Sequence, residues 1–448
     1  MTKKTLVMAL FCAGISIAAF AQEEPGTTPP EASFDSKPAI SEAKSITDVM
    51  DAYLTSKKWD GGENRKADGS IFFIATGVGV IQAPRTNNNY PASRVAAFEK
   101  AMLAAKQQMA EYVGQEIATS VGKFYEEGDF TLPPKIDGLQ DDESSILAKI
   151  KMLVHAKLDK ELRAEGIDPD KAAKAALAEA LKKQINSEEF KKTVNSAAQS
   201  FICGLQASKT FEISPANNKG EIGVVAIWSP KLQKMAEAMA FGGTVPNGMP
   251  KQKIAEQIPT DPEVLLTTFG VQQLLDENGK LTLVSYGQAG ALSDSPTSAN
   301  AARSKAKLDA TGRIRQFAGE NVVVMSDMVN AESTKEFEAA AEEYSNESRF
   351  QEKITAVADS MKISGIATLK NWQAKHPLTG KTIYGTICTW SPSAAANAQA
   401  LGRKLNERPQ PQAGGSVTVP SQTKAEKEKE AQGRAFEGSG ADADEDAF

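Results

Sequence analysis

Few residues in this sequence could carry chemistry, and their spacing matches no familiar catalytic or metal site. The two histidines are His155, in a helical pattern, and His376, in a predicted hairpin turn. A zinc site built from them with Cys203 and Cys388 would lack the short local ligand spacings that such sites use. We therefore expect no metal and no cofactor.

Other chemical motifs are equally thin. The run TGVGV at residues 76–80 resembles part of a dinucleotide-binding loop, but the third glycine is missing and a polar loop precedes the helix. Carboxylate pairs such as Asp141–Asp142 and Glu342–Glu343 lie in polar stretches, whereas a hydrolase needs its carboxylates to converge in a cleft. The sequence predicts no catalytic residue, and so no enzyme.

Two features keep alternatives open. Cys203 and Cys388 lie in apolar, strand-like runs, which favours two buried thiols, although an oxidising compartment would permit a disulfide. The polar loop at residues 83–93, APRTNNNYPAS, is interpreted as a plain surface loop; binding of sugar or protein by its asparagines and Tyr90 is the alternative.

The N-terminus predicts export. Lys3 and Lys4 precede an apolar run, and Ala19-Phe20-Ala21 offers a small-x-small site, so cleavage is expected after Ala21. The protein is then periplasmic or associated with the outer surface. No later stretch is long enough for a membrane-spanning helix. A formal net charge of −6 without a basic stripe argues against nucleic acid as a partner.

The chain repeats itself. GVVAIWSP at residues 223–230 returns as GTICTWSP at 385–392, and IFFIATGVGVI at 71–81 resembles LTLVSYGQAGA at 281–291. Each of the latter segments precedes a long helical pattern with alanines four residues apart, at 97, 101 and 105 and at 302, 306 and 310. These ordered matches indicate two fused copies of one domain.

The repeated residues have a packing interpretation. Glycines in a strand, Gly77 and Gly287, facing alanines on a helix predict a close helix-on-sheet contact. Trp-Ser-Pro predicts a strand-to-helix joint, in which Pro ends the strand and Ser caps the helix. A ligand-stacking role is the alternative for the tryptophans. The residues assigned a structural role are Gly77, Gly287, Trp228, Pro230, Trp390 and Pro392.

The predicted fold class is α+β: two tandem copies of a helix-plus-antiparallel-sheet domain, of which the first carries a helical-hairpin insertion near residues 125–186. The second helix of this insertion is expected to start at Asp168-Pro169. The predicted organisation is a signal peptide (1–21), a disordered leader (22–44), copy 1 (45–240), a linker (241–262), copy 2 (263–402) and a disordered charged tail (403–448).

The stretch ATGVGV followed by RVAAFEKAMLAAKQQMAEYV resembles two groups of exported bacterial domains. These are the small surface-lipoprotein family and the N-terminal domain of flagellar assembly protein T. Trp-Ser-Pro has no counterpart that we can place in them, which favours a separate envelope family with tandem copies. The resemblance implies non-enzymatic roles in surface display, envelope assembly or ring-like oligomers, with an envelope protein or a second copy as partner.

We therefore expect a non-catalytic cell-envelope protein with a structural, assembly or protein-binding role. The alternative is a secreted protein that binds or hydrolyses glycan or peptidoglycan in a cleft between the two copies.

Overall fold

A computed structural model of the chain describes residues 45–127, 146–169, 171–202, 204–215, 219–241, 247–324, 363, 365–398 and 436–444. All of them belong to one compact unit, Ile40–Phe448. No helix in these ranges is both long enough and apolar enough to cross a membrane. We call residues 45–241 the first half and residues 247–398 the second half. The predicted signal peptide and leader lie outside the described residues.

The described residues of the first half form six helices and four strands. In chain order they are α1 (Ile46–Lys57), β1 (Gly62–Arg65), β2 (Ile71–Val80), α2 (Tyr90–Glu127), α3 (Ile146–Ala164), α4 (Lys174–Ile185), α5 (Glu188–Phe201), β3 (Gln206–Ser214), β4 (Glu221–Trp228) and α6 (Pro230–Phe241).

The described residues of the second half form a further set of elements. They are α7 (Ile254–Gln257), α8 (Pro262–Thr267), β5 (Gly270–Leu275), β6 (Leu281–Gly290), α9 (Pro296–Val324), β7 (Ala367–Lys375) and β8 (Thr382–Trp390). A further helix begins at residue 392 and is described through residue 398. Near the C-terminus, β9 (Phe436–Ser439) follows.

Each half builds one antiparallel sheet, and the two sheets have the same strand order. The first runs β1-β2-β4-β3 and the second β5-β6-β8-β7, with β9 added beside β3 in the first. Both outer hairpins carry a register shift at an equivalent place, between Ala207 and Lys209 in β3 and between Thr368 and Lys370 in β7. The α+β prediction is confirmed.

The two halves share a glycine with the same backbone conformation. Gly204 has a φ of +85° and Gly365 a φ of +86°, in the left-handed region that glycine adopts without strain. A Cβ on either residue would overlap the first turn of the helix after Trp-Ser-Pro, 2.7 Å from the carbonyl oxygen of Leu232 or of Ala394. The same close contact between a glycine and the helix after Trp-Ser-Pro therefore occurs in both halves.

Each sheet is covered on both faces, which explains why its inner strands are almost continuously apolar. Along β2, Phe73 packs with α2 in one core cluster, whereas its neighbours Phe72 and Ile74 pack with α1 in another. Because successive residues of a strand point to opposite faces, both sets of side chains are buried. The second sheet is arranged alike, between α9 on one face and α8 on the other.

Two elements begin or end elsewhere than their sequence patterns indicate. Residues 264–276, VLLTTFGVQQLLD, have a helical pattern, but only their start belongs to helix α8, and Gly270–Leu275 is the edge strand β5. The helix expected from Asp168-Pro169 begins at Lys174, because Asp168 instead accepts backbone hydrogen bonds within a turn. The inserted helices extend the core, since Leu158 and Leu181 are buried in the cluster that contains α2.

The tail prediction is wrong in part. Residues 403–448 were expected to be disordered, yet Phe436–Ser439 forms β9, paired with β3 from Phe211 to Ser214, and description continues through residue 444. The composition of the segment did not indicate a strand, because an added edge strand is held by the main chain of its neighbour rather than by its own apolar side chains.

Candidate functional site

The two predicted strand glycines lie against the long helices. A Cβ on Gly77 would stand 2.0 Å from the carbonyl oxygen of Ala101, and one on Gly287 would stand 2.3 Å from that of Ala306. The run TGVGV is therefore the C-terminal half of strand β2, packed against the backbone of α2, and not a loop that could bind a dinucleotide.

Both Trp-Ser-Pro segments are strand-to-helix joints. Trp228 and Trp390 end β4 and β8 and lie in core clusters, and a helix begins at Pro230 and at residue 392. The hydroxyl oxygens of Ser229 and Ser391 each accept a backbone N–H three residues on, both at 3.2 Å. No face of Trp228 is left for a ligand, since its exposed fraction is 0 %.

The remaining chemical candidates are scattered. His155 lies on α3, and Cys388 is a buried free thiol whose pKa is raised by burial. Cys203 and the carboxylate pairs at 141–142 and 342–343 lie outside the described residues. Within the described ranges, no group of three or more His, Cys, Asp or Glu side chains is placed to hold a metal ion.

Ionisable side chains converge at a place that the sequence did not predict. Arg94 of α2, Glu212 of β3 and His376 of the turn after β7 meet between the two halves, each at most 1 % exposed. With Tyr90 and Gln288 they form what we call the junction cluster.

An ion pair lies at its centre. The Nε of Arg94 donates to both carboxylate oxygens of Glu212, at 3.0 and 2.9 Å, and its Nη2 donates to Oε2 as well. This forked arrangement is the strong form of a charge-assisted hydrogen bond. Burial alone would raise the pKa of Glu212, but Arg94 and His376 together lower it to about 2. Glu212 is therefore ionised at neutral pH.

His376 brings the second half into the cluster. Its Nε2 lies 3.1 Å from Oε1 of Glu212, while its Nδ1 accepts the backbone N–H of Leu378 at 3.3 Å. Because Nδ1 is an acceptor, the proton belongs on Nε2, which donates it to the carboxylate. Burial, opposed by Glu212, lowers the pKa of His376. The imidazole is neutral and does not add a second positive charge beside Arg94.

Tyr90 and the loop before it complete the first-half side of the cluster. The Tyr90 hydroxyl lies 3.1 Å from Oγ of Ser214, and its ring meets the ring of His376 edge-on. Burial and the charge of Glu212 raise the pKa of Tyr90 to about 12. Arg85 donates to the Ser214 carbonyl at 2.8 Å. Tyr90 is thus a structural residue at the start of α2 and is not available to an external ligand.

Gln288 of β6 connects the ion pair to helix α8. Its Oε1 accepts from Nη1 of Arg94 at 3.3 Å, and its Nε2 donates to the carbonyl oxygens of Leu265, Leu266 and Thr268 at 2.8–3.0 Å. Arg94 also donates to the Leu266 carbonyl at 2.8 Å. The last carbonyls of a helix have no partner within it, so these two side chains cap α8 from outside.

Apolar packing between the halves surrounds the cluster and is reciprocal. Phe269 of the second half belongs to the core cluster of the first sheet, where it stacks on Phe98 with ring centroids 5.3 Å apart. Met235 of the first half belongs to the core of the second sheet. Arg313 lies over the Phe98 ring and forms an ion pair with Glu99 at 2.7 Å. The halves therefore share cores.

The junction cluster can hold the two halves together through its buried ion pair and hydrogen bonds. Its ion pair is satisfied by the surrounding side chains and is out of reach of solvent. A signal for it exists in the sequence, because alternation in TFEIS places Glu212 on the strand face opposite Phe211 and Ile213. A charge in the middle of an otherwise buried strand indicates a partner, although it does not identify Arg94 or His376.

The neutral His376 predicts a specific pH dependence. The unfolded chain binds a proton at His376 below the ordinary histidine pKa of 6.5, which the folded chain resists, so the free energy of unfolding should fall by up to about 1.4 kcal/mol per pH unit below that value. Chemical denaturation between about pH 7 and about pH 5 measures this slope. His376→Gln should reduce it and His155→Gln should not; an unchanged slope in His376→Gln would refute the neutral assignment.

Comparison with known proteins gives sparse results. A family model described as Domain of unknown function (DUF6844) matches residues 143–241, from the insertion through α6. Among solved structures, a crystal structure of a hypothetical protein from Francisella tularensis is 20% identical, covering 78% of this chain and 90% of that chain, with a TM-score of 0.42. A search of curated proteins finds no match.

Proposed function

We propose that this chain is a non-catalytic exported cell-envelope protein with a structural, assembly or protein-binding role. The observation that carries the proposal is the outer edge of the first sheet, where β3 accepts Phe436–Ser439 as an added strand. Addition of an extended peptide to a sheet edge is a general mode of protein recognition, in which main-chain hydrogen bonds supply affinity.

The non-catalytic part of the proposal is supported by the junction cluster. Glu212, Arg94 and His376 would be the natural candidates for acid–base chemistry, yet Glu212 contacts both of the others and none of the three is more than 1 % exposed. A general acid or base must lie within hydrogen-bond reach of its substrate. These three side chains instead hold the two halves together.

Export is supported by the leader sequence. Lys3 and Lys4, the apolar run and the Ala19-Phe20-Ala21 site form the pattern of a secretory signal. The resemblance to exported envelope domains points the same way. The periplasm or the outer surface is the proposed location, and N-terminal sequencing of the protein from fractionated cells should begin at Gln22.

Two assays test the proposed role. Cross-linking in intact cells should give the chain in a defined species with an envelope protein or a second copy of itself, and recovery of free monomer alone would overturn the proposal. The purified chain should leave glycans and peptidoglycan fragments unchanged. Turnover of any of them would favour the alternative, an enzyme with a cleft between the halves, which gains no support from the packed contact of Phe98 with Phe269.

A further inference from the structure

The C-terminal segment 436–444 lies in a groove that both halves build. We call this the docking groove; its walls are β3 of the first sheet, and Thr267, Thr268 and β5 of the second half. Backbone pairing continues past β9, because the N–H groups of Gly440 and Ala443 donate to the carbonyls of Thr210 and Ser208 at 2.7 and 2.8 Å.

The second half binds the same segment from the other side. Thr268 Oγ1 accepts the Ala441 N–H at 2.8 Å, and Gln272 Nε2 donates to the Ala441 carbonyl at 3.1 Å. The Leu275 N–H donates to the carboxylate of Asp444 at 3.3 Å. The second half therefore contacts the main chain of Ala441 and the side chain of Asp444.

Charge and shape select this peptide. Lys209 Nζ lies 3.1 Å from the carboxylate of Asp442, and Lys251 Nζ lies 3.5 Å from that of Asp444. Gly440 fits where no other residue could, because a Cβ there would stand 2.5 Å from the Thr210 hydroxyl and 2.6 Å from the Thr267 carbonyl oxygen. The preferred ligand is an extended acidic peptide with glycine two residues before the first aspartate.

A long stretch of chain joins the segment to the second half. Residues 399–435 connect it to the second half, a length of chain that reaches about 120 Å when fully extended. An empty groove would expose the edge of β3, and exposed edges are templates for pairing with another chain. The same segment of a second molecule offers identical contacts.

We propose that the docking groove is an assembly site that takes residues 436–444 of a second copy of this chain, so that copies are linked by exchanged C-terminal strands. The proposal rests on the assembly role proposed above and names the partner. Within one molecule, residues 436–444 fill the chain's own docking groove. In the exchanged state the same residues of a second molecule make the same contacts.

Charge reversal separates exchange from closure. One variant reverses the groove (Lys209→Glu with Lys251→Glu), and another reverses the segment (Asp442→Lys with Asp444→Lys). Each alone sets like charges against each other and should sediment as a monomer, whereas an equal mixture should form dimers through the complementary pairing of one variant's groove with the other's segment. The quadruple variant, complementary within one chain, is the control for folding and closure.

The glycine provides the specificity control. Gly440→Val in both members of the mixture should abolish the dimer, because the segment can no longer seat. Wild-type chains with two different tags, incubated at high concentration, should co-purify and lose this property with the same substitution. A mixture that stays monomeric, or a dimer that survives Gly440→Val, would overturn the proposal. A cellular complex with another envelope protein, without self-association, would overturn strand exchange and leave the proposed function standing.

Discussion

Glu212→Gln is expected to lower the free energy of unfolding by about 3–5 kcal/mol. The substitution preserves shape, but it removes the charge and replaces one acceptor oxygen with an amide N–H donor, so Arg94 would remain buried between the halves without its counter-ion. Both side chains are fully excluded from solvent, and no water can replace the lost carboxylate without opening the contact. Urea denaturation at neutral pH, followed by tryptophan fluorescence, measures the loss.

The matched control is Glu188→Gln at the start of α5. That carboxylate is 97% exposed and lies 4.0 Å from Lys191. Exposed ion pairs contribute about 0–1 kcal/mol, so this variant should unfold almost as the wild type does. A Glu212→Gln variant as stable as the control would mean that the junction cluster is not buried in solution.

Replacing both members of the ion pair tests why Glu212→Gln loses stability. Arg94→Met combined with Glu212→Leu should be more stable than Glu212→Gln, because two apolar side chains leave no charge unpaired. Gln288 and His376 would each lose a partner, so recovery should be incomplete. The double variant therefore tests whether the penalty in Glu212→Gln comes from the stranded guanidinium.

Acid adds a second expectation for the same residue. The pKa of Glu212 is lowered to about 2 from its ordinary value of 4.5, so the ion pair contributes stability above about pH 4.5 and loses it as the pH falls toward 2. His376 acts at a higher pH than Glu212 does. Below pH 6.5 the unfolded chain takes up a proton at His376 that the folded chain resists, so the free energy of unfolding falls there first. The junction cluster thus predicts stepwise acid lability.

Sequence alone was sufficient for the repeated architecture, because its signals are local and occur twice. Alanines four residues apart on a helix indicate one close-packed face, and glycine in the preceding strand indicates what that face meets. Trp-Ser-Pro combines a strand stop with a helix cap, so it located the ends of β4 and β8 correctly.

The site between the halves could not be read in the same way. Arg94, Glu212 and His376 lie on three elements widely separated in sequence, and Glu212 alone of the three has a local sequence signal, which does not identify its partners. Their meeting depends on how one half lies on the other, which periodicity within a half does not encode. The docking groove could not be predicted for a related reason. Gly440 and its acidic neighbours contact the main chain and the charged side chains of residues that are distant in sequence.

Because α2 lies so close to β2, adding a single methyl group to the strand is expected to lower the free energy of unfolding. Gly77→Ala would place a methyl group 2.0 Å from the Ala101 carbonyl oxygen and 2.6 Å from the Ala105 nitrogen. Both are backbone atoms, so no side-chain rotation relieves the overlap, and α2 must move off the sheet. Overpacking of this kind costs about 1–3 kcal/mol or more. Denaturant titration of the purified variant measures the cost.

Two further glycines provide a matched variant and a control within the same chain. Gly287→Ala meets the Ala306 oxygen and the Ala310 nitrogen, each at 2.3 Å, and should cost a similar amount in the second half. Gly312→Ala, on α9 with nothing within 4 Å of its added Cβ, should stabilise the protein by about 0.5–1 kcal/mol, because alanine favours the helix. If Gly77→Ala also stabilised, conformational freedom rather than close packing would explain the strand glycines. Opposite signs at positions 77 and 312, with equal signs at 77 and 287, would establish the same tight contact in both halves.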